Sequence, residues 1–92
     1  MLSLNNLEEL EPLFPHPCTK CNLDFVAQLE KVHEELAEFE EAIERNSDSA
    51  MLEEGTDLIV AVTTLLAKKF SLGERMNAML DVNQKNKSRG YY

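Results

Sequence analysis

A chain of 92 residues holds one small domain, and 43% hydrophobic residues can fold it but make a thin core for a monomer of this length. Its net charge of −8 excludes a general nucleic-acid binder, which needs a basic footprint. No run of about 18 apolar residues is present, so no membrane span is expected; the start, MLSLNNLEELEPLF, lacks the basic end and apolar centre of a secretion signal, which points to a cytoplasmic protein.

Residues 1–22 read as an irregular N-terminal segment. Asn5 to Glu11 suit a short helix, and Pro12, Pro15 and Pro17 prevent its continuation. His16-Pro-Cys18-Thr-Lys-Cys21 offers at most three zinc ligands, with a fourth to come from His33 or another subunit, and there is no second CxxC. A redox role is expected in a βαβ setting, which is missing. The expected state is a pair of reduced thiols in a loop that packs over the helices, with His33 structural.

From Leu23 the pattern becomes helical. Phe25, Leu29, Val32, Leu36, Phe39 and Ile43 step by three or four, an amphipathic stripe centred between Leu36 and Phe39. Asn22 or Asp24 is the expected N-cap, and the helix should end near Asn46, in the polar run NSDS. A second helix is expected from Ser49 to Phe70. Its segment LIVAVTTLLA is apolar almost all round, so a partner subunit is expected to cover one side. Ser71-Leu72-Gly73 should break the chain before a third helix that carries Met76, Met79, Leu80 and Asn83 on one face. The expected fold is an all-α small helical bundle of three main helices, completed by oligomerisation.

The charge is unevenly placed. Glu30 to Asp57 holds eleven acids against Lys31 and Arg45, while six bases from Lys68 to Arg89 face only Glu74 and Asp81. Residues 33–44, HEELAEFEEAIE, contain six glutamates and no lysine or arginine. On a helical wheel they are not equivalent. Glu35 lies at one edge of the apolar stripe with Glu38 further round the same flank. Glu40 takes the opposite edge, Glu34 points away from the core, and Glu41 and Glu44 are ordinary solvated residues.

On the second helix Glu54 and Asp57 share a face, and Glu54 falls near the middle of the stripe of Met51, Leu58, Val62 and Leu65. A core-facing carboxylate is costly unless it is paired or bound to a cation. Antiparallel packing of the two helices would gather Glu35, Glu38, Glu54 and Asp57. Four oxygen ligands suit a hard ion, Mg²⁺ or Mn²⁺. The same spacings also suit an acidic solvated helix with Glu54 at a bend or edge.

Glu34-Glu35-Leu-Ala-Glu38 followed by Glu54-Gly-Thr-Asp57 resembles the EExxE…ExxD signature of the MazG-like all-α nucleoside triphosphate pyrophosphohydrolases. The ending Asn83-Gln-Lys85-Asn86-Lys-Ser-Arg89-Gly-Tyr91 is similar to that family's basic C-terminal motif. The resemblance covers roughly residues 25–91, so 1–92 reads as one such domain with its helical catalytic core over 23–91. It implies that Glu35, Glu38, Glu54 and Asp57 hold Mg²⁺. It also implies cleavage of nucleoside triphosphates to monophosphate and pyrophosphate, a house-cleaning of the nucleotide pool, and a homodimer or homotetramer.

Within that reading Glu34 or Glu38 takes the proton of the attacking water. Lys85 and Arg89, one helical turn apart, grip the phosphates, and Asn86 contacts phosphate or sugar. A frayed, basic helix end that complements its own dipole is the other reading of this tail. Rival functions are a dUTP diphosphatase or a phosphoribosyl-ATP pyrophosphohydrolase of the same superfamily. A non-enzymatic helical oligomer that binds metal or a partner protein is the rival from another class.

Overall fold

Local chemistry sets each helix boundary. In the computed structural model, which describes residues 16–19 and 22–92, Asp24 starts α1 (Phe25–Glu44) by accepting the Ala27 N–H on its carboxylate at 2.8 Å. The helix ends in a Schellman motif: Asn46 sits at φ 56°, its N–H donates to the Ile43 carbonyl, and the Ser47 N–H reaches back to Ala42. Ser47 then caps α2 (Asp48–Ala67) through the Ala50 N–H. The expected break at Ser71-Leu72-Gly73 is instead a helix start. Ser71 and Glu74 form a reciprocal capping box, so Leu72 and Gly73 open α3 (Leu72–Ser88). A second Schellman motif, with Gly90 at φ 78°, closes α3. No strand occurs among the described residues, and the helix expected over 5–11 lies outside them.

The three-residue link forces α1 and α2 into an antiparallel hairpin. Gln28 donates its side-chain amide to the Ala61 carbonyl at 3.1 Å near one end, and Phe39 lies on Gly55 nearer the turn. At the open end Lys68 donates to the Leu23 carbonyl, and the Lys69 ammonium stands 4.3 Å from the centroid of the Phe25 ring. The third helix rests lightly on α2 and makes no contact with α1.

The line that α1 buries against α2 is not the centre of the expected stripe. It is Gln28, Glu35 and Ala42, spaced by seven. Small residues decide this rotation. Ala42 and Ala61 are the buried apolar residues of the described core, and a side chain at Gly55 would put its Cβ 3.0 Å from the Phe39 ring. The helices therefore meet along their narrowest surfaces, which turns the Glu35 flank inward. The larger apolar residues are left outside. Leu29, Leu36 and Ile43 form a second row of period seven, 40 to 46% exposed, and Leu52, Ile59 and Leu66 form a third on α2. No helix of the described residues is long and apolar enough to cross a membrane.

Candidate metal centre

The inward rotation of α1 places Glu35 and Glu38, one turn apart, beside Glu54 in the second turn of α2. One carboxylate oxygen from each of the three lies within 4.8 Å of the others. Gly55 makes this approach possible. It follows Glu54, and Phe39 follows Glu38, so the contact of the ring with the bare α-carbon brings the carboxylates together.

Burial is graded across the trio. Glu35 is 8% exposed, Glu54 is half-buried and Glu38 is exposed. Oε2 of Glu35 and Oε2 of Glu54 are both buried and accept no hydrogen bond. Such orphaned oxygens are costly, because desolvation is not offset by any donor. The charge of Glu35 holds the Glu38 carboxyl above the usual carboxylate range, with burial and the Glu54 charge adding to the effect. An oxygen-only donor set, two orphaned buried oxygens and mutual repulsion together fit a hard divalent cation.

The chain supplies one cation of its own here. Lys31 lies 3.1 Å from Oε1 of Glu35 and 3.5 Å from Oε2 of Glu34. Its hydrogen bond to Glu35 and the Glu35 charge raise its own pKa. Sequence reasoning missed this pairing, although the spacing i,i+4 from Lys31 to Glu35 carries the signal.

The other expected residues are placed differently. Asp57 stands outside the trio and is exposed. It lines, with Lys31, Glu35, Gln28 and Thr64, an open cavity of about 300 Å³ at the trio's edge. Glu34 is solvent-facing and bound to Lys31. Lys85, Asn86 and Arg89 ride on α3 and its cap; since that helix makes no contact with α1, packing within one chain does not join them to Glu35.

Cys18 reaches the same cavity, and its N–H donates to Thr64 Oγ1 at 2.9 Å. It is disulfide-bonded, which corrects the expected reduced thiol. A disulfide sulfur is also no thiolate for zinc. Cys21 lies outside the described residues. Compared with known proteins, the chain matched no family model, no curated protein and no solved structure.

Proposed function

We propose that the protein is a MazG-like, Mg²⁺-dependent nucleoside triphosphate pyrophosphohydrolase of the cytoplasm, acting on (deoxy)nucleoside triphosphates to clear unwanted nucleotides. The observation that carries this reading is the pair of buried, unpartnered oxygens of Glu35 and Glu54 within the three-carboxylate cluster. In this reading Glu35, Glu38 and Glu54 hold the ion, and the exposed Asp57, outside the trio on the next turn of α2, is the fourth carboxylate available to it. Mn²⁺ fits the same donors. When bound, a divalent ion screens the triphosphate charge and acidifies a water.

The chain's residues do the rest. The Glu38 carboxylate accepts a proton from the attacking water; Glu34 is the alternative base. Lys85, Asn86 and Arg89 bind the phosphates and steady the leaving pyrophosphate. Since α3 does not touch α1, a partner subunit is the natural source of these three. The exposed rows of period seven on α1 and α2 support such a homodimer or homotetramer, because their burial would complete a helical bundle.

Incubating the protein with a panel of deoxynucleoside triphosphates and Mg²⁺ should release pyrophosphate and not orthophosphate. Including dUTP and phosphoribosyl-ATP separates the rival activities. Cleavage of no nucleotide, or a Glu54→Gln rate equal to wild type, overturns the enzyme reading. A non-enzymatic helical oligomer has one observation in its favour: Lys31 already balances part of the Glu35 charge without any ion.

A further inference from the structure

Lys31 touches two sites at once. Its ammonium is held by Glu35 Oε1 and Glu34 Oε2, and its side chain also lines the 300 Å³ cavity with Gln28, Asp57, Thr64, Leu23 and Val60. The side chain is 45% exposed, and Glu34 is 66% exposed. The Glu34 pair is open on both sides and weak; Glu35, with its side chain 11% exposed, is the firmer hold and the one a divalent cation competes for. Glu35 is the shared element, since it contributes to the trio and spends its other charge interaction on Lys31.

We propose that Lys31 is the chain's own counter-ion for the acidic cluster, and that its ammonium turns to a phosphate of the nucleotide in the adjoining cavity once a divalent cation neutralises Glu35. The proposal rests on the metal-site reading above. It follows from competition for one carboxylate. A divalent ion and an ammonium on the same glutamate repel each other, so each weakens the other's hold. Arrival of the ion loosens Lys31 just where an anionic group needs a donor. The cavity wall offers amide, hydroxyl and apolar surface beside the carboxylates of Glu35 and Asp57, which repel a phosphate until a cation offsets them, and Lys31 is its cationic side chain. The coupling makes anion binding follow ion binding, because before the ion arrives the trio repels phosphate and Lys31 is engaged.

The test is a pair of affinities measured on the intact protein and on Lys31→Gln and Lys31→Arg. The probes are Mn²⁺ alone, by calorimetry, and the manganese complex of inorganic pyrophosphate at saturating Mn²⁺, by equilibrium dialysis. Coulomb's law at the dielectric of water makes Lys31→Gln bind Mn²⁺ about tenfold more tightly. The same variant should bind the pyrophosphate complex at least about tenfold more weakly, as expected for a lost charge-assisted contact. Lys31→Arg should retain pyrophosphate binding. A merely structural lysine would weaken both affinities together. Absence of either shift overturns the proposal and leaves the metal site standing. Failure of the wild type to bind Mn²⁺ overturns the metal-site reading as well.

Discussion

Replacing Glu54 with glutamine should stabilise the protein when divalent ions are chelated and destabilise it relative to wild type when they are supplied. The carboxylates of Glu35 and Glu54 approach within 4.8 Å. Their repulsion at that distance is about 1 kcal/mol in water and about 3.5 kcal/mol at an effective dielectric of 20. Glu35 shares its charge with Lys31 and Glu54 is only half-buried, so the lower figure governs. Glutamine also brings an N–H₂ that can reach the unpartnered Glu35 Oε2, contributing about 1 kcal/mol more. A gain of about 1–2 kcal/mol raises the melting temperature of a domain this small by about 4–8 °C per kcal/mol.

Supplying Mg²⁺ or Mn²⁺ at about 100 times its dissociation constant should add about 2.7 kcal/mol to the wild type and little to the variant. The order of the two melting curves then inverts. Circular dichroism melts in EDTA and across an ion titration read both halves. Destabilisation by Glu54→Gln in EDTA, or a wild-type curve that ions do not move, would refute the electrostatic reasoning.

Three further outcomes follow from the same geometry. The Glu38 carboxyl is raised in the folded protein, so its contribution to stability is full below the ordinary carboxylate range and is lost as pH rises through its folded pKa. Urea melts in EDTA should show this loss, and saturating Mg²⁺ should abolish it. At Gly55 a β-carbon would already lie 3.0 Å from the Phe39 ring, and a leucine there should cost about 1–3 kcal/mol by forcing α1 and α2 apart; ion binding should weaken in parallel, as calorimetry would register. Finally, if the proposed homo-oligomer forms through the exposed apolar rows, Leu36→Glu or Ile59→Glu within them should give a smaller particle than wild type by light scattering while leaving the helical circular dichroism of the hairpin in place; a wild type that is already monomeric refutes it.

How far the sequence reaches can be judged residue by residue. The period of apolar side chains, the caps at Asp24 and the polar link after α1 are local properties of a backbone with 3.6 residues per turn. They determine three helices, and the ExxE spacing alone puts Glu35 and Glu38 on one flank. The pairing of Lys31 with Glu35 obeys the same local rule. What the spacing leaves open is the rotation of each helix about its own axis. Ala42, Ala61 and Gly55 decide that in three dimensions by letting the thin faces meet. That contact buries Glu35, recruits Glu54 from α2 and leaves Asp57 outside the trio. It also turns Leu29, Leu36 and Ile43 outward, because close packing follows shape more than the mean direction of the apolar stripe. That Lys85 and Arg89 ride on a helix without contact to α1 concerns parts far apart in the chain. Only the tertiary structure speaks to that, since local periodicity carries no information about which elements meet.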